Sequence, residues 1–283
     1  MRAFINRVIP HGLVRALSLM KRDLGFLGDW KQDLHLLRLR RWARARRAGS
    51  LVRCKGYHLR ITDGLSFYAL YKEIFANRIY HFAALRPNPL ILDCGSNIGM
   101  SILYLKQVYP AARIIAFEPD PSIFPLLHEN IVRNGLKGVQ LIQAALSRSG
   151  GMMTLYSDGR MGSYLATDPP AHRKGWRKHE VSCVRLRDYL TEPVDFLKMN
   201  IEGAEWEVLA DSEDRLEQVR EMVVEYHYLP GVPPTLHDIL ALLHRKGFDY
   251  LVDDFDSESG GVCAPFILTP HTRYYALIYA RRG

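Results

Sequence analysis

From residue 90 onward, short apolar runs alternate with stretches in which apolar positions recur every three or four residues. The runs at 90–92, 113–117, 139–142, 194–199 and 221–225 predict strands, and the periodic stretches at 101–108, 122–134, 204–209 and 235–246 predict helices between them. Such regular alternation predicts an α/β fold on a parallel sheet. Two more strands, 250–253 and 274–280, complete a set of seven, and the link between them carries Gly260, Gly261 and Pro265 with no helical pattern.

Ahead of this core the texture differs. Residues 52–61 predict a short strand pair ending in Thr62-Asp63-Gly64, and 67–82 have the aromatic-rich spacing of a helix leading to Pro87-Asn88-Pro89. Residues 1–48 predict a basic helical arm, with Leu27, Trp30, Leu34 and Leu37 at helical spacing and an arginine-dense run over 38–47, and residues 49–283 form the main domain. Charge sharpens this division. The net +8 splits into +12 over residues 1–60 (15 Lys/Arg against 3 Asp/Glu) and −4 over the rest (23 against 27). Three readings compete for the arm: packing on the domain or on a second copy in a homo-oligomer, binding an anionic membrane surface or lipid-linked substrate, and, least favoured, binding nucleic acid.

Composition narrows the class further. With 48% hydrophobic and 24% charged residues among 283, the chain has the balance of a soluble globular protein with a sizeable core. Cys54, Cys94, Cys183 and Cys263 lie far apart with no Cys-x-x-Cys pair, so neither a zinc ribbon nor a disulfide framework is expected. No run of about 18 apolar residues occurs, and Arg2, Arg7 and Arg15 interrupt any signal-like core. The expected location is the cytoplasm, at most peripheral at the inner membrane surface.

The chemistry gathers at the first core strand, which runs directly into Asp93-Cys94-Gly95-Ser96-Asn97-Ile98-Gly99 and a helix. Glycines at a strand-to-helix turn let the backbone approach a ligand, and the helix start offers free amides. The dinucleotide fingerprint Gly-x-Gly-x-x-Gly is absent; Asn97 stands where its second glycine would be, and Asp93 suits an ammonium or sulfonium better than a pyrophosphate. Glu118 ends the second strand 25 residues after Asp93, in Phe117-Glu118-Pro119-Asp120, where Rossmann-like folds place a carboxylate on the ribose hydroxyls. The pair fits S-adenosylmethionine, with Asp93 near the methionine end and Glu118 on the ribose. Gly95, Ser96, Asn97, Gly99, Pro119, Asp120 and Ala145 complete the expected cofactor set.

Three stretches carry a resemblance. The segments 91–99, 117–121 and 196–205, the last reading Phe-Leu-Lys-Met-Asn-Ile-Glu-Gly-Ala-Glu, are together similar to the FkbM family of S-adenosylmethionine-dependent methyltransferases over roughly residues 50–255. The resemblance implies a class I methyltransferase Rossmann-like fold, its seven-stranded, mostly parallel sheet having the last strand antiparallel. It also implies O-methylation of a carbohydrate, glycosylated or natural-product hydroxyl. Asn200 departs from the Asp usual in the family at that position.

Ligands of open α/β sheets lie beyond the carboxyl ends of the strands, so the loops after strands four and five face the acceptor. A hydroxyl needs a base to remove its proton as the new bond forms, and Glu202 and His227 are the candidates. Asn200, Glu205, Lys198 and Glu225 are expected to bind substrate, with Glu225 the candidate partner for the Lys198 charge. No metal is expected, because asparagine at 200 offers a hard cation only a neutral oxygen, and turnover should survive EDTA. Asp168-Pro169-Pro170-Ala171 imitates an amino-group-binding signature but lies before the fourth strand and lacks the aromatic ring, so it reads as a loop. It belongs to an insertion at about 150–180 with the character of a substrate lid. An RNA methyltransferase and a non-enzymatic cofactor-binding or assembly module are the alternatives.

Overall fold

The computed structural model describes residues 30–160, 162–165, 176–228, 232–254 and 274–283. Two compact units divide the chain, 1–46 and 47–283. In the first, α1 (Trp30–Ala43) enters the arginine-dense segment, and the Arg46 guanidinium beyond it lies 4.5 Å from the centre of the Trp42 ring.

The second unit opens with the hairpin β1 (Leu51–Cys54) and β2 (Tyr57–Arg60). Helix α2 (Gly64–Leu70) follows, capped by the Asp63 carboxylate on the Leu65 and Ser66 amides. The helix expected over 67–82 stops early. Over Tyr71–Ala76 it widens into a π-turn, Asn77 donates to the Lys72 carbonyl, and Arg78 adopts a φ of 58°. The Phe67, Tyr71 and Phe75 rings are in contact along this segment, and the widened turn directs Ile74 inward.

The main sheet comprises β3 (Leu90–Cys94), β4 (Arg113–Phe117), β5 (Val139–Ile142), β10 (Phe196–Met199), β11 (Glu221–Tyr228), β12 (Phe248–Asp254) and β13 (Tyr274–Arg282). Its spatial order is β12-β13-β11-β10-β3-β4-β5. All neighbours are parallel except the pairs made by β13, which is antiparallel to β11 and to β12. Helices α3 (Met100–Val108), α4 (Phe124–Arg133), α5 (Glu205–Asp211) and α6 (Leu236–Arg245) connect these strands. Every residue of β3 and β10 is buried, which is why their sequences read as continuous apolar runs and do not alternate. The sheet order reverses between β3 and β10, so a crevice opens beyond their carboxyl ends. Asn130, fully buried on α4, clamps that end: it exchanges hydrogen bonds with the Arg60 backbone and donates to the Ile98 carbonyl at 2.9 Å.

A second sheet occupies the expected insertion. Strands β6 (Ala145–Leu146), β7 (Gly151–Ser157), β8 (Ser163–Leu165) and β9 (Arg177–Val184) pair in the order β6-β9-β7-β8. β7, β8 and the start of β9 fall within the stretch expected as a lid-like insertion, and the Asp168-Pro169-Pro170 segment expected as a loop lies outside the described residues.

Candidate active site

A cavity of about 980 Å³, counting the space open to solvent, lies beyond the carboxyl ends of β3, β4 and β10. The glycine loop, the second sheet and the segment from α2 to Tyr80 wall it. Gly95, at φ +88°, is indispensable to its floor: a Cβ there would lie 1.8 Å from the Asn200 carbonyl oxygen. Gly99 serves packing instead of ligand contact. Its own Cβ would stand 2.9 Å from a Leu127 methyl, and it is outside the cavity lining.

Of the expected cofactor residues, Gly95, Ser96, Asn97, Glu118, Pro119, Asp120 and Ala145 line the cavity. Glu118 ends β4 as a buried carboxylate. Its Oε1 accepts the Asp120 amide at 2.9 Å and its Oε2 the Asn97 amide at 2.8 Å, leaving further lone pairs on both oxygens. Burial pushes this carboxyl up to about 7, against the pull of those amides. Asn97 adopts φ +47° and spends its side chain on protein, with Oδ1 accepting the Ile98 amide and Nδ2 donating to the Arg160 carbonyl. Asp120 likewise accepts from Ser122 and from the Ser157 hydroxyl, which fastens the second sheet to the loop after β4.

Asp93 departs from expectation. It does not line the cavity: its carboxylate, fully buried, accepts the Ser101 hydroxyl at 2.6 Å and lies 3.3 Å from the Lys198 ammonium. Register explains the pairing, since Lys198 stands directly opposite Asp93 on the neighbouring strand. The ion-pair partner of Lys198 is therefore Asp93, the Lys198 charge also pulls against the upward push of burial on Glu225, and Lys198 further donates to the Gly95 and Cys94 carbonyls. This ion pair anchors the glycine loop to β10, where removing either partner would strand a buried charge.

On the acceptor side, Lys198, Asn200 and Glu202 line the cavity, while Glu205, Glu225 and His227 stand behind it. Glu202 holds φ +58°, a left-handed conformation rare for a long side chain and found where a loop is shaped for function. Glu205 is a loop-building residue: its Oε1 accepts the Gly203 amide at 3.0 Å and lies 2.9 Å from His227 Nδ1. The other ring nitrogen of His227 stands 3.9 Å from Glu202 Oε1. Burial works to strip the His227 proton, but the Glu202 and Glu205 carboxylates outweigh it and raise the imidazole to about 9. His227 is thus a cation at neutral pH set behind Glu202. Among the described residues no group of three or more His, Cys, Asp or Glu is placed to hold a metal ion.

Sequence reasoning missed Leu70, Ile74 and Tyr80, and the second-sheet residues Leu155, Ser157, Arg160 and Leu165. Their only advance signals were an aromatic-rich spacing and a glycine-rich turn.

The profile of the methyltransferase FkbM domain matches residues 93–250, more than half of the chain. The chain belongs to the FkbM methyltransferase family. Methyltransferase sdnD of Sordaria araneosa is 35% identical over 232 residues, covering 68% of this chain and 88% of that protein. The 31-O-demethyl-FK506 methyltransferase FkbM of Streptomyces tacrolimicus is 32% identical over 218 residues, covering 65% and 82%. Among solved structures, methyltransferase FkbM of Methylobacillus flagellatus KT superposes with a TM-score of 0.45 at 16% identity, over 78% of this chain and 56% of that one.

The FkbM methyltransferase cofactor is S-adenosylmethionine, and the cavity suits it. Glu118 would offer a buried acceptor for ribose hydroxyls, and Phe117, Ile123, Ala144 and Leu146 would give an apolar wall for an adenine. Bound there, the group supplies a methyl on a positively charged sulfur.

Proposed function

We propose that this FkbM methyltransferase is an O-methyltransferase acting on a hydroxyl of a carbohydrate or of a glycosylated or natural-product acceptor. The observation that carries the reading is Glu202, a carboxylate on the cavity wall backed by the buried His227 cation. A hydroxyl is a poor nucleophile until its proton is removed, and a carboxylate within the cavity is the group to remove it. With the cofactor bound, the acceptor O–H proton would pass to Glu202 as the oxygen takes the methyl that the sulfur would release, leaving S-adenosylhomocysteine. His227 acts as a positioning residue, its charge holding the Glu202 carboxylate in place. The names of two relatives agree with oxygen as the acceptor atom: the 31-O-demethyl-FK506 methyltransferase and the 2-O-methyltransferase NoeI of Sinorhizobium fredii, 27% identical over 158 residues.

Transfer of labelled methyl to a panel of glycans, lipid-linked sugars and RNA tests the reading. Label in a sugar methyl ether is the expected result; label confined to RNA would replace it with the RNA methyltransferase alternative.

The basic arm supports a second proposal, that residues 1–48 bring the enzyme to an anionic membrane surface or a lipid-linked acceptor. Among the described residues no helix is long and apolar enough to cross a membrane. Each arginine near an anionic surface contributes about 1 kcal/mol at moderate salt. Replacing Arg38, Arg40, Arg41, Arg44, Arg46 and Arg47 by Gln in the full chain is expected to abolish salt-sensitive sedimentation with phosphatidylserine vesicles, with cofactor affinity unchanged. Equal sedimentation of both proteins would favour a packing role for the arm.

A further inference from the structure

Behind the cavity floor, Glu225 joins two elements that have no sequence proximity. Buried on β11, it accepts the Tyr80 hydroxyl on Oε1 and the Asn200 side-chain amide, at 2.7 Å, on Oε2. Tyr80 arrives from the segment after the π-turn and Asn200 from the end of β10, and both line the cavity. Because Glu225 occupies the amide nitrogen of Asn200, the carbonyl oxygen Oδ1 is turned away from the carboxylate. Reversing the amide would set two acceptors face to face while Glu225 is ionised, the state that Lys198 and the Tyr80 and Asn200 donors favour against the upward push of burial. No donor among the described residues reaches that Oδ1. A fixed acceptor therefore stands open to whatever fills the cavity.

We infer that Asn200, held by Glu225 and Tyr80, recognises a second hydroxyl on the acceptor, adjacent to the one that is methylated. The inference rests on the O-methyltransferase reading and narrows it to vicinal diols. Glu202 lies two residues beyond Asn200 in the same turn and faces the same cavity, so this loop presents two neighbouring hydrogen-bond acceptors. A diol satisfies both: one hydroxyl gives its proton to Glu202 as it takes the methyl, and the other donates to Asn200 Oδ1. The nearby Lys198 ammonium is already engaged by Asp93 and by the Gly95 and Cys94 carbonyls. Tyr80 acts through Glu225 and is a positioning residue.

The test uses methyl glycosides carrying neighbouring hydroxyls, and their deoxy counterparts lacking one of them, as acceptors for labelled methyl with the full chain. The wild type is expected to favour the diol at least about 10-fold in kcat/KM. Asn200→Ala should bring the ratio of diol to deoxy kcat/KM down to about 1, mostly through KM on the diol, while the calorimetric affinity for S-adenosylhomocysteine is retained. Asn200→Ser, which removes Oδ1 but leaves a polar group at the site, should give the same result and serves if the alanine variant does not fold. Tyr80→Phe should move in the same direction by a smaller factor. A loss of S-adenosylhomocysteine affinity in folded Asn200→Ser would assign Oδ1 to the cofactor and overturn the inference. Equal wild-type rates on diol and deoxy glycosides would overturn it alone, leaving O-methylation standing. No transfer to any glycoside would overturn the sugar reading and this inference with it.

Discussion

Replacing Glu202 by Gln is expected to lower turnover by about 100-fold or more while leaving S-adenosylhomocysteine affinity within about twofold. The magnitude is that of removing a positioned general base, which contributes about 10²–10⁴-fold. Glutamine keeps the size and hydrogen-bonding reach of the side chain but cannot take the proton, so a fall in kcat at nearly unchanged cofactor affinity isolates that role. A Glu202→Gln enzyme with wild-type kcat would remove Glu202 from the chemistry. His227→Ala acts differently, since the imidazole lies behind the carboxylate and carries a proton at neutral pH. Its loss should lower turnover by about 10-fold and remove the fall in rate expected in the wild type as the pH rises through 9 and His227 loses its proton. The same group governs stability. Its folded value of about 9 lies above the ordinary 6.5, so its contribution is full below pH 6.5 and is lost as the pH rises through 9. Thermal unfolding followed from pH 6 to 10 should show that loss in the wild type and not in His227→Ala.

The strands and the glycine loop were legible because their signals are local. A buried parallel strand needs a continuous apolar run, and Gly95 must be glycine because the Asn200 carbonyl leaves no room for a Cβ. The partner of a charge is not local in that sense. Asp93 read as a ligand carboxylate because it precedes the glycine turn, yet the register of β10 against β3 places Lys198 opposite it and turns the pair into an anchor. His227 and Glu205 misled for a related reason. A histidine at a strand end and an acid in a first helical turn carry no mark of facing each other across a loop, and that contact moves the imidazole from base to cation. The second sheet escaped because β9 exposes much of its length and its periodicity is diluted by lysine, histidine and glutamate. Tyr80 was unreadable as a site residue, since nothing near it in sequence foretells a hydrogen bond to a strand 145 residues on.

Glu118→Ala is expected to weaken S-adenosylmethionine and S-adenosylhomocysteine by roughly 10- to 150-fold, the equivalent of about 1.5–3 kcal/mol for hydrogen bonds to a charged group. Alanine also strands the Asn97 and Asp120 amides that Glu118 accepts, so some loss of stability accompanies it. Glu118→Gln is the milder variant, because its carbonyl oxygen still accepts one of the two amides while the charge is gone. The pH dependence gives a second signature. Burial raises this carboxyl from 4.5 to about 7, so the folded cofactor-free protein holds a proton there that the unfolded chain has already released. The stabilisation from that proton is complete below pH 4.5 and is lost as the pH rises through 7. Cofactor binding runs the other way, since ribose hydroxyls donate best to the ionised carboxylate. Affinity should therefore rise between pH 5.5 and 7, level off above, and be accompanied by proton release on the acid side. Calorimetric titration in buffers of different ionisation enthalpy measures both quantities. Glu118→Gln should bind weakly with a flat profile and no proton release; a wild-type profile and affinity in that variant would place the ribose elsewhere in the cavity.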